Sequence, residues 1–367
     1  MNSAGADIDR HYMEIALSLA EKGRGTTSPN PMVGAVIVRN GEIVGQGFHC
    51  KPGGDHAEIA ALKEAGDRAR GATLYVTLEP CCHYGKTPPC TESIIKGGIR
   101  RVVFAMTDPN PLVCGAGSTR LREHNIETES GILEIQARKL NEAYLKFTSA
   151  GIPFITLKMA MTLDGRIAAR DGSSRWITGP EARKRTHLLR ASSDAVMVGV
   201  GTVLADNPRL TVRDAAGSNP LRVILDSFLR SPLNAQVFSD ERAIVFTGNQ
   251  PDNAKLQELN KRGIVTWKTE SEEGKISLKN VLQKLGEHSI TSLLCEGGAA
   301  LATSLLCDRL VDKLYIFIAP KILGKGIDGI KDLGIESLSN AIHIKNREIE
   351  ELGDDILITG YPDYRKG

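Results

Sequence analysis

Apolar positions recur at helical spacing through residues 10–23, and then the period drops to two. Residues 33–38 and 42–48 read as strands flanking Asn40-Gly41, the dipeptide favoured in two-residue hairpin turns. Residues 56–68 carry Ile59, Ala60, Leu62 and Lys63 in helical order, and 72–78 run apolar like a buried strand. A short helix over 91–96 is closed by Gly97-Gly98, 101–106 is rich in β-branched residues, and a helical pattern covers 132–146. Periodicity fades in KFTSAGIPF around 147–153, which marks a linker and a boundary near residue 150. Beyond it, strands at 154–159, 194–200, 222–226, 243–247, 292–295 and 313–318 alternate with helices at 180–191, 253–262, 277–287 and 299–307. The alternation predicts two α/β domains, 1–150 and 151–367, with no internal repeat.

Composition narrows this picture more than it redirects it. A chain of 367 residues, 41% apolar, suits two cores better than one. With 46 basic against 44 acidic residues the net charge is +2, so no polyanion-coating surface is expected and any phosphate site must be local. The opening residues carry charges where a signal peptide needs an apolar run. The longest mostly apolar stretch, AVMVGVGTVLA at 195–205, falls short of the roughly 18–20 residues that span a bilayer. A cytoplasmic protein without membrane association is expected. Seven cysteines spread over a large chain argue against a disulfide framework. Cys50, Cys114, Cys295 and Cys307 are isolated and expected to be small buried hydrophobes, whereas Cys81, Cys82 and Cys90 cluster.

The cluster has a partner upstream. His56-Ala57-Glu58 opens a predicted helix, and a strand then delivers Glu79-Pro80-Cys81, with Cys90 nine positions after Cys81. One imidazole and two thiolates suit zinc, and three protein ligands leave a coordination position for water, the mark of a catalytic site. Zinc acidifies such a water, and a carboxylate two residues from the histidine is placed to carry its proton to a leaving nitrogen; Glu58 is that carboxylate. The order H-x-E, P-C, C is the general signature of zinc base deaminases, except that the second cysteine comes after nine residues in place of three. Alone, HAE is more often a buried histidine beside a surface glutamate; it is the Pro-Cys pair that changes the reading. Cys82 and His83 compete as ligands, but Cys82 is expected to pack and His83 to face substrate. Lys86 offers a cation for a phosphate. Asn30, Asp108 and Asn110 offer groups to read a ring, although SPNP and DPNP also serve turn chemistry.

TSPNPMVGAVIV, HAEIAAL, TLEPCCHYGKTPPC and TDPNP closely resemble the bifunctional riboflavin-biosynthesis deaminase/reductase family, and KMAMTLDGRIA, SRWITG, GVGTVLADNPRLTVR and CEGG extend the resemblance over nearly the whole chain. It implies a cytidine-deaminase-like three-layer domain followed by a dihydrofolate-reductase-like α/β domain. It implies deamination of 2,5-diamino-6-(5-phosphoribosylamino)pyrimidin-4-one to the uracil, then NADPH-dependent reduction of the ribose. It also implies His56, Cys81 and Cys90 on zinc with Glu58 as proton shuttle. In the second half it implies Ala160, Trp176, Thr202, Asp206 and Ser227 facing NADPH, and Ser174, Arg190, Leu210, Arg213 and Glu296 facing substrate. Guanidinium forks at Arg190 and Arg213 suit a phosphate monoester, although either could be an ordinary surface arginine. Lys158 points from a predicted strand and is placed to orient or protonate the ribose.

No Rossmann fingerprint is present, since the run from Gly199 to Leu204 lacks its third glycine. SLLCEGGAALATSLL instead runs a strand through two glycines into a helix. Gly298, Ala299, Ala300, Leu301, Ala302, Thr303 and Ser304 are candidates for a pyrophosphate cradle, the alternative being a turn for tight helix–strand packing. Ser227 and Arg230 follow a strand and are candidates for the cofactor's 2′-phosphate. Two rival readings make different demands. A nucleic-acid base deaminase fused to an unrelated reductase should show a basic groove or stacking platform, against which stand 5% aromatics and a near-neutral charge. A structural zinc module should supply a fourth ligand. The expected partner is a small phosphoribosylated pyrimidine, not nucleic acid, and a homo-oligomer, dimer or tetramer, is expected.

Overall fold

The computed structural model describes residues 3–83, 88–110, 114–272 and 274–364. The chain divides into two compact units, Met1–Gly151 and Ile152–Gly367.

In the first unit α1 (Ser3–Glu21) precedes the hairpin β1 (Gly34–Arg39) and β2 (Glu42–Phe48). Then come α2 (Ala57–Ala65), β3 (Thr73–Val76), α3 (Cys90–Gly97), β4 (Arg101–Phe104), α4 (Ala116–Glu123), β5 (Glu127–Ser130), α5 (Glu134–Leu140) and α6 (Glu142–Ala150). The sheet order is β2-β1-β3-β4-β5, antiparallel around β1 and parallel from β3 to β5. Glycines set the layers. A Cβ on Gly34 would lie 2.0 Å from the Ala16 carbonyl oxygen of α1, and one on Gly47 2.6 Å from that of Ala57 in α2. Gly34 and its neighbour Ala35 point to opposite faces, and Ala35 pairs with Gly47, so α1 and α2 cover opposite faces of the sheet. That makes three layers. α2 lies so close to β2 that no side chain fits between them, which fixes where its first turn, and hence His56 and Glu58, can sit.

The buried stripe of α1 includes one charge. Asp9, 7% exposed, accepts the Tyr75 hydroxyl at 2.7 Å and a bidentate fork from Arg101 at 2.8 and 2.7 Å, while Arg101 also pairs with Glu129. The anchor ties α1 to β3, β4 and β5.

The second unit comprises β6 (Phe154–Thr162), β7 (Arg166–Ala169), α7 (Pro180–Ala191), β8 (Ala195–Gly199), α8 (Val200–Asp206), β9 (Leu221–Leu225), β10 (Ala243–Thr247), α9 (Asn253–Lys261) and β11 (Val265–Lys268). A two-strand ladder of β12 (Ser271–Glu272) and β13 (Lys275–Ile276) leads to α10 (Leu278–Glu287), β14 (Ser292–Cys295), α11 (Ala299–Cys307), β15 (Lys313–Ala319), β16 (Gly326–Asp328), β17 (His343–Leu352) and β18 (Asp355–Asp363). The main sheet runs β11-β10-β9-β8-β14-β6-β15-β18-β17. Its first seven strands are parallel and the last two add an antiparallel hairpin. Such a sheet is buried on both faces and reads as continuous apolar runs, as Val196–Val198 and Leu293–Cys295 do. The carboxyl ends of β6, β8 and β14 lie side by side at its centre, the usual place for a ligand in an open α/β sheet.

Several expectations need correction. Residues 147–150, read as linker, are the last turn of α6, because Phe147 and Ala150 continue the helix that ends at Gly151 with φ 69°. Cys50, Cys114 and Cys307 are exposed, and of the four isolated cysteines Cys295 alone is buried. Cys50 and Cys307 stand at or just past element ends, and Cys114 in the loop entering α4, where burial is incomplete. No helix among the described residues is long and apolar enough to cross a membrane.

The Asp9 anchor carries a pH dependence. Burial pushes its carboxyl up, but Arg101 and Tyr75 outweigh burial and hold it below the ordinary 3.8. A depressed carboxyl stabilises the folded form above its unfolded pKa, so the contribution is intact above about pH 5 and is lost as pH falls through 3.8 and below. Asp9→Asn is expected to destabilise β3 and β4 by about 2 kcal/mol at pH 7. Amide hydrogen exchange of the two strands should show the difference shrinking as pH is lowered from 6 to 3.5. A loss that does not change with pH contradicts the ion-pair account.

Candidate functional sites

The first site is assembled from two strand ends and two helix starts. His56 is the N-cap of α2 in extended conformation, Cys81 follows β3, and Cys90 is the first residue of α3, with Pro89 presetting its entry. His56 Nδ1 lies 3.2 Å from Cys90 Sγ and 3.7 Å from Cys81 Sγ, and the three donor atoms lie within 4.8 Å of one another. Zinc bonds of 2.0–2.3 Å at tetrahedral angles put nitrogen and sulfur about 3.5 Å apart, so the donor set fits that ion. One of the two sulfurs, that of Cys81, is already biased towards thiolate. The Cys90 thiol and His56 both hydrogen-bond Cys81 and hold its pKa down, and the Cys90 backbone N–H reaches Cys81 Sγ at 3.4 Å. Sharing its proton with Cys81 pushes the Cys90 thiol up. Among the described residues no fourth histidine, cysteine or carboxylate joins the cluster, and Cys82 is outside it.

Glu58 occupies the first turn of α2 and is 4% exposed. Burial, then the nearby Cys81 sulfur, push its carboxyl up to about 7, against the opposing pull of His56. A group half protonated near neutral pH is suited to accept a proton and return it.

His56, Cys81 and Glu58 line a cleft of about 390 Å³, with Asn30, His49, His83, Asp108, Asn110 and Tyr144 also on its walls and Cys90 buried behind them. Asp108 Oδ1 accepts the Asn110 backbone N–H at 2.9 Å and the Tyr144 hydroxyl at 2.9 Å, so the turn role and the cleft-facing role coexist. The buried Nδ1 of His83 has no hydrogen-bond partner among the described residues. Lys86 lies outside the described residues.

Sequence reasoning missed three contributors. Tyr144 comes from α6, 36 positions from the aspartate it contacts, and no local pattern links them. His49 orients Asn30. The Asp55 carbonyl faces His49 Nδ1 at 3.0 Å, so that nitrogen carries the proton and Nε2 must accept, at 3.0 Å, from the Asn30 amide. Burial holds the His49 pKa down, in keeping with that neutral form, and the Asn30 carbonyl oxygen is left as the acceptor available to a ligand. Glu79, 3% exposed, accepts the backbone N–H groups of Gly115 and Ser118 at 3.0 Å and of Asp108 at 3.4 Å. It ties the loop after β4 to the end of β3, one residue from Pro80-Cys81.

In the second unit Glu296 directly follows β14. Arg190 of α7 grips its carboxylate at 2.6 and 2.9 Å, and Lys158 of β6 stands 4.0 Å away. Burial pushes the Glu296 carboxyl up, but Arg190 and then Lys158 outweigh it and hold the group ionised. Burial lowers the Lys158 ammonium pKa despite that partner. Arg190 also donates to the Thr211 carbonyl at 3.1 Å. Three of its donors are therefore committed inside the protein, whereas Arg213 is exposed. Leu210, expected to face substrate, has its side chain in the apolar core at 3% exposure, so only its backbone can do so.

Thr202 of α8 accepts the Gly298 N–H at 3.2 Å, joining the starts of α8 and α11. Gly298 caps α11 without a side-chain bond. The Ala302 N–H already bonds the Gly298 carbonyl, and the Thr303 hydroxyl takes the Lys331 N–H at 2.8 Å. The amides left for a phosphate are those of Ala299, Ala300 and Leu301, a narrower cradle than 298–304. Ser174 reaches Asp206 at 3.5 Å, and Arg175 donates to the Asp206 carbonyl at 2.5 Å. Trp176 is 64% exposed beneath the Arg183 guanidinium at 4.5 Å, and Ala160 lies on β6 beside Phe317. The Ser227 hydroxyl donates to the Gly274 carbonyl at 2.6 Å.

Comparison with known proteins agrees with both halves. Residues 6–106 match the cytidine and deoxycytidylate deaminase zinc-binding region, and residues 153–358 match the RibD C-terminal domain. Riboflavin biosynthesis protein RibD of Aquifex aeolicus is 47% identical over 353 residues, covering 96% of this chain and 98% of that protein. Its Escherichia coli counterpart is 41% identical, covering 95% and 98%. A solved Acinetobacter baumannii RibD superposes with TM-score 0.88 at 39% identity, covering 98% of this chain and all of that one. A Thermotoga maritima structure described as a diaminohydroxyphosphoribosylaminopyrimidine deaminase/5-amino-6-(5-phosphoribosylamino)uracil reductase gives 0.85 at 38% identity and 98% coverage of this chain. Fold and sites thus define a zinc-type pyrimidine deaminase joined to a reductase. The chain belongs to the RibD family of riboflavin biosynthesis proteins.

The metal-type site makes a direct demand. Cys81→Ser is expected to drop zinc from about one per chain to below about a tenth, while Cys82→Ser keeps full zinc. Elemental analysis after dialysis checks both, and equal loss in the two variants contradicts the three-ligand assignment.

Proposed function

We propose that this chain performs two successive steps of riboflavin biosynthesis. Residues 1–150 deaminate 2,5-diamino-6-(5-phosphoribosylamino)pyrimidin-4(3H)-one to 5-amino-6-(5-phosphoribosylamino)uracil, and residues 151–367 reduce the ribose of that product to the ribityl chain with NADPH. The observation that carries the reading is the buried Glu58 carboxyl at a cleft floored by His56 and Cys81, whose donor atoms cluster with that of the buried Cys90.

In this reading His56, Cys81 and Cys90 hold zinc, which when bound supplies Lewis-acid activation of the attacking water. Glu58 takes a proton from that water and returns it to the amino nitrogen, so that a C–O bond forms, the C–N bond breaks and ammonia leaves. Asn30, held by His49, presents its carbonyl to the ring, and His83, Asp108 and Asn110 supply further polar contacts. Lys86 is the cation this reading assigns to the phosphate.

For the second step Ala160, Trp176, Thr202, Asp206 and Ser227 border the cofactor, and the first-turn amides of α11 receive its pyrophosphate. NADPH when bound supplies the hydride. Glu296, kept ionised by Arg190, accepts hydrogen bonds from ribose hydroxyls together with Ser174. Lys158, whose proton burial loosens, stands ready to give it to the ribose oxygen as the ring opens. Arg213, exposed and uncommitted to a carboxylate, takes the phosphate. We read the protein as a cytoplasmic homo-oligomer, dimer or tetramer; Ile349 and Ile356, exposed on the hairpin that ends the sheet, support association.

Purified protein given the diaminopyrimidine ribotide is expected to release ammonia without cofactor and to form the ribityl product when NADPH is added, with NADPH preferred to NADH by roughly ten- to a hundredfold. Product masses and steady-state rates check this. Unchanged ribotide removes the first activity, and equal efficiency with both nucleotides removes the preference.

A further inference from the structure

His187 has no part in either step as described, yet both of its ring nitrogens are committed. It lies on α7 one turn before Arg190 and is 4% exposed. The Arg213 backbone N–H faces its Nδ1 at 3.3 Å. A backbone N–H can only donate, so Nδ1 is the unprotonated nitrogen and the ring hydrogen sits on Nε2, which faces the Asp214 carboxylate at 3.3 Å. Burial, then the Arg190 and Arg213 charges, lower the imidazole pKa, in keeping with a neutral ring.

The segment that the ring grips needs the grip. Residues 211–214 belong to no helix or strand, so no ladder fixes them. Their backbone is held by side chains instead: the Val212 N–H goes to the Asn219 carboxamide oxygen at 2.8 Å, and the Thr211 carbonyl to Arg190 at 3.1 Å. The Arg213 amide is the one His187 takes. Thr211 Oγ1 accepts from the Arg213 guanidinium at 3.1 Å, so the backbone position of this short stretch also sets where the guanidinium starts from.

We infer that His187 is a positioning residue of the reductase phosphate subsite: by accepting the Arg213 N–H it fixes the backbone from which the Arg213 guanidinium reaches a ribose phosphate. The inference rests on the reading of Arg213 as the phosphate contact.

The test separates the two. His187→Leu keeps bulk and removes the acceptor, whereas His187→Asn places a carboxamide oxygen close to the position of Nδ1. The leucine variant is expected to raise KM for the deaminated ribotide about tenfold, with kcat within about threefold and KM for NADPH within about twofold, and the asparagine variant to recover most of the loss. Arg213→Ala should raise the same KM, and adding His187→Leu to it should cost less than about twofold more, because the histidine acts through the arginine. If the leucine variant does not fold, His187→Ala is read in the same way. An unchanged KM in the histidine variants beside a raised one in Arg213→Ala, or effects that multiply in the double variant, overturns the positioning role. An unchanged KM in Arg213→Ala overturns the phosphate reading and this inference with it.

Discussion

A carboxylate taken out of water costs several kcal/mol unless the fold supplies donors or a counter-charge, and both halves of this chain put such carboxylates at the carboxyl ends of parallel strands. Glu79 meets the demand with three backbone N–H groups, that of Asp108 after β4 and those of Gly115 and Ser118 at the start of α4, where the helix dipole adds to the compensation. Gly117 makes that approach possible, since a Cβ there would lie 2.1 Å from the Pro80 carbonyl oxygen. The same contacts settle the loop carrying Asp108 and the peptide leading to Cys81. Glu296 meets the demand with the Arg190 fork and Lys158.

The choice of partner decides what a buried carboxyl can do. Glu58 and Glu296 are both deeply buried, yet their pKa values move in opposite directions. Glu58 sits against sulfur, where the pull of an imidazole and hydrogen bonds from its own backbone N–H and the Cys90 thiol do not offset burial, and is pushed up to about 7. Glu296 sits against a guanidinium and an ammonium and is held down. In the proposed function the first is a proton carrier and the second a fixed anion that orders a sugar, and the difference comes from their neighbours: the Cys81 sulfur beside Glu58, Arg190 and Lys158 beside Glu296. The cost falls on Arg190, whose commitment to Glu296 leaves the exposed Arg213 as the better phosphate contact.

Much of this was legible in the sequence because it is written in short spacings. The H-x-E pair, the Pro-Cys entry to the site and the strand–Gly-Gly–helix run each span a few residues, and the first two meet at the metal-type cluster of the first unit while the third forms the start of α11 in the second. The central strands of the second unit were legible as apolar runs. What escaped was long-range or polar. β17 and β5 carry no buried residue and so show little burial signal, and α4 is made of small and charged residues around a single leucine. His49, Glu79 and Tyr144 act through partners 19 to 39 positions away. The seven-residue cradle shrank because a helix uses its own amides after the first turn, a limit that spacing alone does not reveal.

The central claim is that Glu58 moves the proton in a site whose metal the other three residues hold, and Glu58→Gln tests it most directly because the amide keeps the shape and cannot shuttle. The account predicts about one zinc per chain in the purified variant and a deamination rate lower by roughly 10²–10⁴ or more, measured as ammonia release from the diaminopyrimidine ribotide. Zinc-loaded protein that deaminates at close to the wild-type rate would contradict it.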